Sequence, residues 1–344
     1  MKNVKKLKTI IYSTIRIEAI TLGMGRVVAK RGVYAIILIF IMTIVNFFLF
    51  RVMPGDPVAM MVSPSITAEV RKILLTKFGL DQPLHIQFIK YIQQLLQGNL
   101  GLSFNYQRPV LDLVLERVPN TVLLLLSSYI ITVILSIVLG LIAAWRRGGK
   151  LDISFTIFGL WMHSMPIFWL GGLLLLFFSI RLDLFPVIGV STPWLVHEHR
   201  FSYILDVAHH LFVPMMTLGI GNIGGMFLIT RNSLLDIFSE DYIMTAKALG
   251  LSNRTILFHN VLRNAMLPLS TIILMRLGFI IGGAVTTETV FTWPGVGLLI
   301  YRAVMQEDYP VLQGAFLIIT ISAVLANYLA EIIYGYLDPR VRYE

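Results

Sequence analysis

Cysteine is absent and charge is scarce in this chain of 344 residues. Without a thiol there is no disulfide framework and no thiolate metal site. Charged residues make up only 14%, against about 25% in ordinary soluble domains. Length alone would allow two soluble domains. The hydrophobic share of 56% argues against that, because a soluble fold cannot hide so much apolar surface. Acids are the scarcer sign, 19 against 28 Lys and Arg, which leaves a net charge of +9. Such a surplus suggests nucleic acid until the charges are placed along the chain.

What is present is a set of long apolar runs. They fall at 32–53, 118–145, 153–180, 211–230, 267–287 and 311–334. Each supplies the run of about 20 residues that a helix needs to cross the hydrocarbon core. Backbone groups find no water there, so helices are the expected solution. The short alternating segments of a membrane barrel are missing from most runs. Buried core helices of a large soluble protein are the weaker alternative.

Charge placement orients these runs. Residues 1–32 carry Lys2, Lys5, Lys6, Lys8, Arg16, Arg26, Lys30 and Arg31 against Glu18 alone. The connection after the second run has Arg146, Arg147 and Lys150 against Asp152. The connection at 288–310 has Arg302 against Glu288, Glu307 and Asp308. Positive charge marks the cytoplasmic side. The expectation is an all-α integral membrane protein with six transmembrane helices and both termini in the cytoplasm. The positive surplus is then a topology signal, and no nucleic-acid partner is expected.

The expected organisation is a basic cytoplasmic segment at 1–32 and a first transmembrane helix at 33–53. An extracytoplasmic loop region follows at 54–118, then a five-helix core at 119–335 and a cytoplasmic tail at 336–344. The core includes a cytoplasmic loop at 231–266. The first apolar run is too long, and lacks a clean small-residue site, for a cleaved signal. The stretch 10–22 reads either as an amphipathic surface segment or as a poorly ordered extension. In the first outer loop, helices are expected at 66–75 and 85–96. The outer loop before the fourth run has His197, His199, His209 and His210 with Glu198 and Asp206. No His-Glu-x-x-His spacing occurs, so ordinary polar histidines are preferred over a metal site.

The loop at 231–266 is the most informative stretch. From Ser239 to Gly250 it reads as a short helix, with Ser239 as cap, acids at the start and Gly250 at the exit. Ser252 is expected to cap a following helix, and Pro268 to open the fifth span. Such a pair is either a plain connector or a docking surface. The residues Asp241, Tyr242, Thr245, Ala246, Ala248, Gly250 and Leu251, then Leu262, Arg263, Asn264, Ala265 and Pro268, form a recognisable series. It resembles the loop of inner-membrane permeases of ABC importers, in the dipeptide, oligopeptide and nickel family. The general permease signature is degenerate here; the peptide-permease version fits far better. Other family-like stretches are Pro54-Gly55-Asp56-Pro57, Phe78-Gly79-Leu80-Asp81-Gln82-Pro83-Leu84, Gly98-Asn99-Leu100-Gly101-Leu102-Ser103, Val290-Phe291-Thr292-Trp293-Pro294-Gly295-Val296-Gly297, Asp308-Tyr309-Pro310 and Leu337-Asp338-Pro339-Arg340-Val341-Arg342-Tyr343.

The resemblance implies a type I ABC importer permease fold in the inner membrane of a prokaryote. It implies a homologous second permease subunit, two cytoplasmic ATP-binding subunits and an extracytoplasmic substrate-binding protein. ATP and Mg would be used by the ATPase subunits, with no cofactor in this chain. Asp241, Tyr242, Thr245, Ala246, Ala248, Leu249 and Gly250 would form the helix that couples to an ATPase. The imported substrate would be a dipeptide or oligopeptide; the alternative is nickel or another small solute. No phosphate-binding loop is found, since Gly148-Gly149-Lys150 lacks the leading Gly and the following Ser or Thr.

The pathway between the two permeases is expected to involve His163, Ser164, Asn222, Arg276 and Thr286, with Ser127 and Ser128 nearby. Small and hydroxylated residues equally serve close helix packing, which suits Gly219, Gly221, Gly224 and Gly225. Arg276 falls near the middle of a span, where an exposed guanidinium is costly. It faces the pathway or subunit interface, or it forms an ion pair within the bundle. Glu331 is expected to pair or to reach the interface. A secondary transporter would show paired repeats and midplane acids, and an intramembrane enzyme would show paired catalytic groups. Neither pattern is evident.

Overall fold

The structure is a computed structural model and describes residue 25 and residues 28–51, 82–195, 199–277 and 283–337. Most of the described residues are helical, with no named strand among them. Helix α1 is Val28–Arg51. Then come α2 (Leu84–Leu96), α3 (Val110–Leu115), α4 (Val118–Trp145) and α5 (Lys150–Ser164). Helix α6 is Ile167–Leu174 and continues as a π-helical turn, Leu175–Arg181. The long α7 is Arg200–Phe238, followed by α8 (Asp241–Ala248). Helix α9 (Asn253–Thr255) runs through a π-helical turn, Ile256–Leu262, into α10 (Arg263–Leu277). The last three are α11 (Val285–Val290), α12 (Val296–Met305) and α13 (Tyr309–Leu337).

Among the described residues four helices are long and apolar enough to cross a membrane, and a bent pair makes a fifth. The second and sixth apolar runs become α4 and α13 almost residue for residue. The third does not form one straight helix. Its two halves, α5 and α6, meet at 102°. Pro166 explains the break: it lacks an N–H, and it pushes Met165 into extended backbone, φ −83° and ψ 128°. The fourth run is only the middle of α7, whose 39 residues span about 58 Å at 1.5 Å per residue. The fifth run is shifted. Pro268 lies inside α10 instead of opening it, and residues 278–282 are outside the described set.

The core of the fold is the contact of α4 with α7. Ser128, Thr132, Ser136 and Gly140 recur every fourth residue and are all buried. This is one stripe along a helix, and its small side chains let the backbones approach. Thr132 Oγ1 donates to the Gly219 carbonyl at 3.0 Å. Ser136 Oγ donates to the Ile223 carbonyl at 3.4 Å. A Cβ at Gly140 would sit 2.8 Å from Thr230 Cγ2. The other side of α7 takes α5 as closely: a Cβ at Gly224 would lie 2.0 Å from the Gly159 carbonyl oxygen. The packing reading of Gly219, Gly221 and Gly224 holds. Outward faces such as Ile130, Ile134 and Val138 of α4 are exposed and apolar, as suits a lipid-facing surface.

The outer-loop helix expected at 85–96 is α2; the one expected at 66–75 lies outside the described residues. Glu331 pairs with Arg31 at 3.2 Å, which joins the start of α1 to α13. Pro54 to Pro57, His197, Glu198 and the tail beyond residue 337 also lie outside the described residues. His199 caps the start of α7 through its backbone. His209 Nε2 is 2.7 Å from the Leu184 carbonyl. His210 Nδ1 is 2.9 Å from the Asp206 carbonyl and 3.3 Å from Asp206 Oδ1. The His209 contact ties the preceding loop to α7, and the His210 contacts lie within α7.

Candidate functional site: an outward elbow and an inner cleft

Helix α8 stands at the end of α7 and turns back into α9. Its inward face is Ile243 and Ala246, buried with Ala144, Leu234, Ile256 and Val261. Ala246, expected as part of the coupling helix, packs against its own chain. Its small side chain lets the helix sit close to α4 and α7. The outward face presents Asp241, Thr245, Lys247, Ala248 and Leu249. Met244, Leu249 and Leu251 are large apolar side chains left exposed there. Met244 and Leu251 were absent from the expected set; their spacing with Ala248 along one side of the turn was the available signal.

The ends of this helix differ from expectation in one respect. Glu240 is the N-cap residue, and no side chain caps the helix. Ser239 Oγ instead donates to the Asp236 carbonyl at 2.6 Å, closing the end of α7. Gly250 has φ +76°, the left-handed region that a helix exit favours in glycine. Ser252 does cap α9, accepting from the Thr255 N–H at 3.2 Å.

Tyr242 joins the elbow to α10. Its hydroxyl accepts from Asn264 Nδ2 at 2.8 Å. The same Nδ2 donates to the Asn260 carbonyl at 2.8 Å. At the same end of the bundle, where α7 approaches the start of α5, Arg231 grips Asp152 through Nε at 2.5 Å and Nη2 at 2.8 Å. Asp152 also accepts from the Gly148 N–H at 2.9 Å. The hydrogen bonds from Arg231 hold the Asp152 carboxyl below the usual carboxylate range, outweighing its partial burial. Gly148-Gly149-Lys150 is thus a turn that starts α5, with Gly148 at φ +74°.

A cleft of about 430 Å³ opens between α4, α7 and α10. Ser128, Tyr129, Thr132, Asn222 and Arg276 line it, with Leu125 and Leu218 as its apolar wall. Two expected pathway residues, Asn222 and Arg276, are thus brought together with Ser128. The others are placed elsewhere. His163 rests against Gly224 and Gly225 of α7. Ser164 donates back to the Leu160 carbonyl at 2.9 Å. Ser127 donates to the Leu123 carbonyl at 2.7 Å. Thr286 is exposed on α11. Tyr129, missed in the sequence, donates its hydroxyl to the Ile273 carbonyl at 2.9 Å and so holds α4 against α10.

Two buried carboxylates account for the family-like stretches that follow. Glu288 is fully buried. It accepts from Thr121 Oγ1 at 3.0 Å and from the Leu298 N–H at 2.9 Å. A Cβ at Gly295 would fall 2.3 Å from Glu288 Oε2, and one at Gly297 would fall 2.8 Å from Val285 Cα. The two glycines let the chain close over the carboxylate. Trp293 is buried beside this cage and donates Nε1–H to the Asn120 carbonyl at 2.9 Å. Asp308, also fully buried, accepts from Ser103 Oγ at 2.5 Å and from the Asn105 N–H at 3.1 Å. That clamp binds the loop before α3 to the start of α13.

Residues 136–343 match the family model described as binding-protein-dependent transport system inner membrane component. Residues 24–125 match the N-terminal family of such membrane components. The chain is 36% identical over 321 residues to the oligopeptide transport system permease protein AppB of Bacillus subtilis, covering 93% of this chain and 100% of that protein. It is 34% identical to the di/tripeptide transport system permease protein DppB of Pseudomonas aeruginosa, covering 92% and 98%. It is 35% identical to the glutathione transport system permease protein GsiC of Escherichia coli K12, covering 92% and 99%. A chain from a structure of inward-facing conformations of the MetNI methionine ABC transporter superposes with a TM-score of 0.53 at 16% identity, covering 66% of this chain and 96% of that one. That likeness shows the permease fold. The chain belongs to the family of inner-membrane components of binding-protein-dependent transport systems, and it is a multi-pass protein of the cytoplasmic membrane.

Proposed function

We propose that this chain is one of two permease subunits that together form the route for ATP-driven peptide import. The relatives named for oligopeptide, di/tripeptide and glutathione transport favour peptides as the substrate class. The observation that carries the mechanism is the continuous helical path from the elbow to the cleft. Tyr242 on α8 is hydrogen-bonded to Asn264 at the start of α10, and α10 carries Arg276 into the cleft. The rise from Asn264 to Arg276 makes a strut of about 18 Å.

In this reading α8 docks on a cytoplasmic ATPase through Met244, Leu249 and Leu251, with Asp241, Thr245, Lys247 and Ala248 around them. Closure of the ATPase pair pushes α8, and α10 moves with it. Two packed arrangements of the bundle then alternate, biased by nucleotide in the partner. The chain supplies a conformational path and no catalytic group; ATP and Mg act in the ATPase subunits. The charge asymmetry supports six spans with both ends in the cytoplasm. A sister permease would cover the open side of the cleft. A substrate-binding protein would deliver cargo from the far side.

The test is affinity purification of the tagged chain in mild detergent from its native host. Recovery of a second permease and two ATPase chains is expected. Recovery of the chain alone, in a form that transports without ATP, would remove the reading.

A further inference from the structure

The cleft has an uneven supply of hydrogen-bonding groups. Ser128 Oγ donates to the Leu124 carbonyl at 2.5 Å, and Thr132 Oγ1 to the Gly219 carbonyl at 3.0 Å. Tyr129 donates to Ile273, and one N–H of Asn222 goes to the Leu218 carbonyl at 2.8 Å. These donors are spent on backbone. Arg276 is not: among the described residues no carboxylate pairs with its guanidinium. Its charge faces the cleft opposite neutral walls. An uncompensated guanidinium within a membrane span is costly. Its place in a polar cleft lowers that cost, and a planar anion would remove more of it.

We propose that Arg276, with Asn222 beside it, is a transient docking point for a carboxylate, namely the C-terminal carboxylate of the passing peptide. This rests on the reading of the chain as a peptide import permease. The C-terminal carboxylate is the full negative charge that every peptide shares, whatever its side chains. A planar fork of N–H donors matches it, and Asn222 has a second N–H to add. The apolar Leu125 and Leu218 beside them leave side chains unselected. The open side of the cleft means the station is passed through, not closed around its ligand. The same carboxylate chemistry could come from an acid of the sister permease, and the experiment separates the two sources.

The complete importer, with its binding protein, is reconstituted in vesicles and given trialanine or trialanine amide. Import is compared between wild type and Arg276→Gln, so that the binding protein's own preference cancels. Arg276→Gln is expected to slow the free acid about 10-fold, the size of one charged hydrogen bond. The amide should change less than two-fold. Equal loss for both peptides would mean an ion pair with the sister subunit and would overturn the proposal. No loss for either would overturn it too. If Arg276→Gln does not assemble, Arg276→Lys serves: a narrowed acid-to-amide ratio supports the station, and an unchanged ratio overturns it. Wild type that assembles yet imports neither peptide would instead sink the underlying peptide reading.

Discussion

The Tyr242 hydroxyl and Asn264 Nδ2 stand 2.8 Å apart, and they are the polar joint between the exposed elbow and the helix that reaches the cleft. Tyr242→Phe removes the acceptor and keeps the ring. The joint should weaken by about 1 kcal/mol, the net worth of one hydrogen bond. The complex should assemble, with more ATP hydrolysed per peptide imported. An unchanged ratio would show that the motion travels by packing alone.

Gly250 is a conformational requirement and not a spatial one. Its φ is +76°, yet a Cβ there would meet nothing within 4 Å. Gly250→Ala should therefore cost about 1 kcal/mol of local strain. Gly250→Val should cost more and shift α8, raising ATP hydrolysis relative to transport. Coupling measured for both variants should fall in that order.

Asp152 and Arg231 give a pH signature. The folded state holds the Asp152 carboxyl below its ordinary value, so the unfolded chain takes up the proton first as pH falls. The stabilisation is full above the unfolded pKa of about 4 and is lost as pH drops through the lower folded pKa. Asp152→Asn should lower stability by about 2 kcal/mol at pH 7. Thermal unfolding in detergent should show the gap between wild type and variant closing below pH 4.

Gly295 tests the cage around Glu288. Gly295→Ala puts a methyl 2.3 Å from a Glu288 oxygen in a fully buried site. The expected loss is about 3 kcal/mol, at the upper end for overpacking. Gly172→Ala is the control, because its Cβ would meet nothing within 4 Å and it should be neutral or slightly stabilising. Unfolding temperatures of the two variants decide the point.

Much of this was readable before the structure, and the misses have two causes. The ends of α4 followed from an unbroken apolar run. The helix expected at 85–96, ahead of Gly98, is α2, Leu84–Leu96. The elbow followed from its acids and Gly250. One is dependence on partners distant in sequence. Glu288 looked like a loop acid until Thr121 and the Leu298 N–H were seen to surround it. The burial of Ala246 depends likewise on Ile256 and Val261, ten and fifteen residues further on. Pro166 was a local signal passed over, because length and apolar content alone described the third run.

The central claim is that ATP outside the chain drives peptide movement through it. The direct measurement is uptake of a labelled tripeptide into vesicles holding the whole complex and its binding protein. Uptake that requires ATP on the ATPase side, and that falls severalfold with Gly250→Val while hydrolysis continues, is the predicted result. Uptake by this chain alone without ATP would contradict the account.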